Sequence, residues 1–159
     1  MKNFARSLQT SVLIFSSLYL IACGPIEQLP GLRLGGNAAQ TPENFDFVDD
    51  YPLIQLEAWG TILPRVVNIW GVGEGQTLYV WGAEDSGWVK RTAEHPDIRV
   101  RIGDDHYALR AERLRDADLE ERARVLAKYQ TKYGSELTEI FGRPATLDDF
   151  AMVYRLTPR

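Results

Sequence analysis

The chain has 159 residues, 45% of them hydrophobic, with 18 Lys and Arg against 22 Asp and Glu and a single cysteine, Cys23. That length suits one small domain around one core, and a lone cysteine excludes an intrachain disulfide. The formal charge of −4 argues against nucleic acid, or an anionic lipid surface, as the main partner, although local basic patches are compatible with it.

At the N-terminus, Lys2 and Arg6 precede an apolar run from Ser11 to Ala22, and small Ala22 is followed by Cys23 and Gly24. This is the pattern of an export signal, residues 1–22; the run is shorter than the roughly 20 apolar residues a spanning helix needs. Leu20-Ile21-Ala22-Cys23 resembles the lipobox of bacterial lipoproteins. The resemblance implies cleavage before Cys23, a diacylglyceryl group on its sulfur and acylation of the new N-terminus, palmitate being a typical chain. Gly24 in place of Asp after that cysteine resembles proteins forwarded to the outer membrane, facing the periplasm. Loss of Lys2 and Arg6 leaves 16 cations against 22 carboxylates, so the mature chain stays acidic.

Residues 23–44 carry Pro25, Pro30, Pro42 and four glycines without sustained periodicity, which predicts a lipidated N-terminus and a flexible tether. Residues 45–159 form the expected domain. Leu53–Trp59 reads as a first strand, and Arg65–Val72 and Thr77–Ala83 as a hairpin around "GEGQ", where glycines accept positive φ. Ser86 opens a short helix with Gly87, Trp88, Lys90 and Arg91 in its first turns. Ile98, Val100 and Ile102 alternate with Arg99 and Arg101, and Tyr107, Leu109 and Ala111 return antiparallel, the clearest hairpin of the chain.

Asp118 with Glu121 three residues on has the pattern of a capping box. Leu119, Ala123, Leu126, Ala127 and Tyr133 are expected to share the buried face, with Glu120 paired to Arg124, Lys128 and Lys132 in the last turn and Gly134 as the stop. "FAMVYRLTPR" closes the sheet. The expected class is α+β, a small antiparallel split β-barrel with one short and one longer helix.

That element order, with Trp88, Pro96, the strand Ile98–Ile102, "YALRAERLRDADLEERARVLAKYQTKYG" and "YRLTPR", resembles the pyridoxamine-phosphate-oxidase-like split-barrel flavoproteins, and among them the deazaflavin-dependent nitroreductases. The resemblance implies FMN or an F420-like deazaflavin, with hydride passing to a quinone or nitro-type substrate and the cofactor at a homodimer interface. It assigns phosphate contacts to Arg65, Ser86, Gly87, Lys90 and Arg91 and ring contacts to Trp70 or Trp88. The sequence departs from the family's pattern at the cofactor strand, where Val66 and Val67 stand at hydroxyl positions, and at Glu84 and Asp85, which add negative charge.

Three further readings are structural. Trp59, Trp70, Trp81 and Trp88 lie within 30 residues and are expected to supply core for at least two of their number. His95 and His106 lack metal-ligand spacing, and "GVGEGQ" lies between strands, so it is not a dinucleotide fingerprint. No Gly-x-Ser-x-Gly occurs and Cys23 would be acylated, so there is no catalytic nucleophile to name. A second reading therefore stands beside the first: a cofactor-free envelope lipoprotein that binds another ligand or a partner protein, consistent with export without a twin-arginine pair.

Overall fold

The computed structural model describes Gly31, residues 33–60 and residues 62–159. Cys23, the export signal and the lipobox lie outside the described residues.

Alternating apolar and polar residues produce most of the sheet. β2 (Ile54–Trp59) pairs antiparallel with β3 (Pro64–Ile69) and with β6 (Asp97–Ile102); β6 pairs with β7 (Asp105–Arg113), β7 with β8 (Val153–Pro158), β8 with β5 (Thr77–Trp81) and β5 with β4 (Gly71–Glu74). A two-residue β1 (Asn37–Ala38) adds in parallel to β7. The strands at the two ends of this order, β3 and β4, are consecutive in the chain and separated by Trp70 alone. One bent strand thus pairs first with β2 and then with β5, which closes the sheet into a split barrel.

The expected hairpin over Arg65–Ala83 is accordingly divided. Its second half holds, Gly71 to Glu74 against Thr77 to Val80, but Pro64–Ile69 turns to β2. The bend is held from outside by α2 (Leu119–Phe141). Tyr133 Oη donates to Gly71 O at 3.1 Å, Lys132 Nζ donates to Gly71 O at 2.9 Å and to Val48 O at 2.7 Å, and Tyr129 Oη donates to Trp70 O at 3.0 Å. A Cβ on Gly71 would lie 2.7 Å from Ile54 Cδ1, so a side chain there would have to displace the tip of Ile54.

Two cores result. Ile54, Leu56, Ile98, Val100, Leu109 and Leu156 fill the barrel, with Phe45 and Val48 plugging one side and α1 (Gly87–Glu94) contributing Trp88 and Val89. The second core lies between the outer face of β4, β5 and β8 and helix α2, built by Val72, Tyr79, Val125, Tyr129, Leu137 and Phe150.

Helix α2 departs from expectation in four ways. Its buried face is Arg122, Val125, Leu126, Tyr129, Tyr133 and Leu137, so Leu126 and Tyr133 are inside as expected while Leu119, Ala123 and Ala127 face solvent. The helix does not stop at Gly134: it bends at Tyr133 (φ −126°, ψ 26°) and runs to Phe141, where Gly142 takes the left-handed conformation (φ 66°). Lys128 and Lys132 therefore sit mid-helix. Finally, Asp118 makes no side-chain cap; its carboxylate accepts from the Arg115 backbone N–H and guanidinium, while Glu121 turns to Tyr79 and Arg155. The cation expected to pair with Glu120, Arg124, lies 3.6 Å from Glu74.

Over its described part, residues 31–44, the expected tether is bonded to the barrel. The Val66 N–H donates to Gly31 O (2.8 Å), the Leu34 N–H to the Glu57 carboxylate (2.6 Å), and Asn37 and Ala39 donate to Asp104 O and His106 O. A 3₁₀ turn, Asp46–Asp50, follows against β4. Any spacer reading is left to residues 24–30, outside the described residues.

Candidate functional site

Ser86 precedes α1 with extended backbone (φ −64°, ψ 142°), as an N-cap should, but its hydroxyl makes no capping bond; Ser86 Oγ is enclosed without a partner. Gly87 begins the helix, and Arg91, one turn on, folds back over it: a Cβ on Gly87 would lie 2.7 Å from Arg91 Nη1. The same side chain touches the β2–β3 turn, where a Cβ on Gly60 would lie 3.1 Å from Arg91 Nε. Arg65 is exposed near the start of β3, opposite Ala58. Lys90 is exposed. Arg65, Lys90 and Arg91 form no ion pair among the described residues.

The two tryptophans assigned to a cofactor ring occupy different cores. Trp88 is buried at the barrel mouth, edge-on to Tyr154 with ring centroids 5.3 Å apart, and its indole lies where any Cβ on Gly82 would be. Trp70 stacks on Tyr133 at 4.8 Å and 13°, under α2. They cannot line one pocket. Trp81 is also structural, stacked on Phe150 at 4.9 Å and donating from Nε1 to Asp149 O. The expectation that at least two of the four tryptophans supply core thus holds, with Trp59 alone exposed. Val66 is buried opposite Glu57 and Val67 packs on the barrel core, so the two valines at hydroxyl positions serve packing.

The structure offers a groove instead, of about 460 Å³, between α1 and the β7–β8 ladder. Val89, Ala93, Pro96, Ala111 and Met152 give it apolar walls; Lys90 and Arg113 bring cations, Glu84 a carboxylate and Tyr154 a phenol. Burial raises the Tyr154 pKa, against a smaller opposing effect of Arg113, so the phenol keeps its proton. Thr92, 2% exposed, also lines the groove, and its hydroxyl has no hydrogen-bond partner. Buried hydroxyls are ordinarily satisfied, and an orphan on a cavity wall is a group that a bound molecule can satisfy. Of the residues assigned to phosphate, only Lys90 reaches this groove. Arg113, Thr92 and Met152 carried no sequence signal, because they meet only when β7 and β8 pair beneath α1.

A second cavity, about 220 Å³, lies between Tyr51, Gln55, Asn68, Arg101 and Asp104. Among the described residues no cluster of three or more His, Cys, Asp or Glu could hold a metal ion, and no helix is long and apolar enough to cross a membrane.

Against known proteins, the sequence matches no family model and no curated protein. The fold does match solved structures. An F420-H2-dependent reductase aligns with a TM-score of 0.54 at 15% identity, over 77% of this chain and 99% of its own. A pyridoxamine 5′-phosphate oxidase-like protein from Listeria innocua gives 0.53 at 15%, over 71% and 88%, and a FAD-binding protein from Mesorhizobium loti gives 0.53 at 15%, over 70% and 84%. The expected α+β split barrel is therefore the observed fold, and it is one also found in flavin-binding and F420-dependent proteins.

Proposed function

We propose that the chain is an exported lipoprotein, held through acylated Cys23 at the outer membrane facing the periplasm, whose barrel takes an anionic flavin-type cofactor, FMN or an F420-like deazaflavin, into the α1 groove. The observation that carries this reading is the groove itself: a mostly apolar cavity of about 460 Å³ with Lys90 and Arg113 among its lining residues and an unsatisfied Thr92 hydroxyl in its wall. Ligand cavities commonly span about 300–1,000 Å³ with few polar groups in apolar walls.

Lys90 and Arg113 would meet the phosphate or carboxylates, Thr92 would donate to a ring or ribityl oxygen, and Val89, Ala93 and Met152 would cover a ring face. Such a cofactor supplies hydride transfer, to a quinone or nitro-type acceptor. The chain's part is binding and orientation; no histidine or cysteine lines the groove. The likeness in fold to flavin-binding and F420-dependent proteins supports this reading.

The rival, a cofactor-free barrel serving a partner protein in the envelope, is favoured by one observation: Trp88 and Trp70, the rings assigned to stacking, are spent on the two cores. Titration of residues 24–159 with FMN and with a deazaflavin, following tryptophan emission, separates the two. Micromolar binding that Lys90→Ala and Arg113→Ala each weaken by about 1.5–3 kcal/mol, the range for a charged hydrogen bond, supports the groove. No binding of either compound leaves the partner reading. The fragment must keep residues 31–44, because Leu34 is buried and its N–H binds the Glu57 carboxylate.

A further inference from the structure

The turn joining β2 to β3 exposes three large apolar side chains together: Ile62 is 85%, Leu63 55% and Trp59 47% exposed. The other exposed apolar residues are dispersed, Leu119 and Ile140 toward opposite ends of α2 and Tyr51 and Leu53 beside the smaller cavity. Two cations flank the turn. Arg65 follows it on β3, and Arg91 lies against Gly60, neither in an ion pair among the described residues.

The chain enters the described domain at the same place. Gly31 O accepts from the Val66 N–H, and Val66 is three residues beyond Leu63, about 10 Å of strand. From Cys23 to Gly31 the backbone spans at most about 27 Å. A lipid on Cys23 therefore holds this end of the barrel within a short reach of the bilayer.

We propose that the β2–β3 turn is a second membrane contact, setting Trp59, Ile62 and Leu63 into the headgroup region of the bilayer while Arg65 and Arg91 meet lipid phosphates. The proposal rests on the lipoprotein reading. An indole with flanking aliphatics and cations is the composition that partitions to an anionic interface. Three residues on a turn present far less than the roughly 800 Å² per partner that a stable protein interface buries, which favours lipid over a second copy. The otherwise acidic chain would be turned with its cationic end to the membrane.

The test uses the full lipidated protein in vesicles of phosphatidylcholine and phosphatidylglycerol, by flotation and by quenching of tryptophan emission with lipids brominated on the acyl chain. Trp88 is buried and Trp70 and Trp81 are half-buried against the second core, so the Trp59 signal is read as the difference between wild type and Trp59→Phe. Expected are flotation and a drop in Trp59 emission, since an interfacial indole lies at the headgroup and acyl boundary, lost in Trp59→Phe and in the double variant Ile62→Ser, Leu63→Ser, both of which still float. Flotation with quenching no different in Trp59→Phe overturns the turn contact and leaves the anchor standing, as does protection of Trp59 from both bromolipid and aqueous iodide, which would mean a protein covers it. Failure of the wild-type protein to float overturns the anchor and this proposal with it.

Discussion

Glu57 and Arg99 are joined side by side across β2 and β6: Arg99 Nε lies 2.8 Å and Nη2 2.5 Å from Glu57 Oε1, and the Leu34 N–H reaches Oε2 at 2.6 Å. Glu57 is fully buried while Arg99 keeps 25% of its side chain in solvent. Three donors thus compensate a carboxylate taken out of water, and one of them is supplied by the segment that precedes the barrel.

The asymmetry in burial sets the order of two substitutions. Arg99→Met leaves an acid enclosed with a single backbone donor and is expected to cost about 3–5 kcal/mol, the range for breaking a buried pair. Glu57→Gln keeps the shape and leaves its cation partly hydrated, and should cost about 1–3 kcal/mol. Urea denaturation of both variants checks the order.

Tyr79, Glu121 and Arg155 make the barrel pH-sensitive on both sides. Hydrogen bonding to Arg155 holds Glu121 below its ordinary 4.5, burial opposing and Tyr79 assisting. Its contribution is therefore present above pH 4.5 and is lost as pH falls through the depressed folded value. Burial, then the bond to Glu121, pushes Tyr79 up to about 12, and burial raises Tyr133 likewise to about 12. Their contributions are whole below pH 10 and disappear as pH rises toward 12. Glu121→Gln should flatten the acid limb of a stability profile, and Tyr79→Phe the alkaline limb.

Two glycines should respond oppositely to alanine. At Gly73 a Cβ would fall 1.9 Å from Phe45 O, so Gly73→Ala must push the 3₁₀ turn off β4 and is expected to destabilise by about 3 kcal/mol. Gly134 has nothing within 4 Å of its Cβ position and lies inside α2. Gly134→Ala should stabilise by about 0.5–1 kcal/mol. Thermal melts report both signs.

Trp88 and Trp59 distinguish packing from exposure. Trp88→Ala empties the barrel mouth beneath α1 and is expected to cost about 3–5 kcal/mol, whereas Trp59→Ala should change stability by less than about 0.5 kcal/mol. Equal effects would mean that Trp88 is not the filler the geometry makes it.

The strands that alternate strictly were legible because one face of each is core: Ile98, Val100 and Ile102 declare β6 without tertiary information. The exchange of partners at Trp70 was not, since Arg65–Val72 is one β-branched run and only its position in space divides it. Gly134 reads as a helix stop, yet Leu137 beyond it has apolar surface to bury and carries α2 on to Gly142. Residues 31–44 read as a spacer by their glycines and Pro42, while Leu34, which the fold buries, is an isolated apolar letter. Of the residues assigned to phosphate, Lys90 alone lines the groove. Arg65, Arg91, Trp70 and Trp88 are grouped by the family resemblance, and the barrel distributes them over a turn, a mouth and a second core.

The most direct test of the groove is mapping amide chemical shifts of residues 24–159 during titration with FMN and, separately, with an F420-like deazaflavin. The account predicts saturable changes at Lys90, Thr92, Arg113 and Met152 with little movement under α2 at Trp70 and Tyr133. Changes centred elsewhere, or none at millimolar ligand, a weak-binding limit of about −4 kcal/mol, would contradict it.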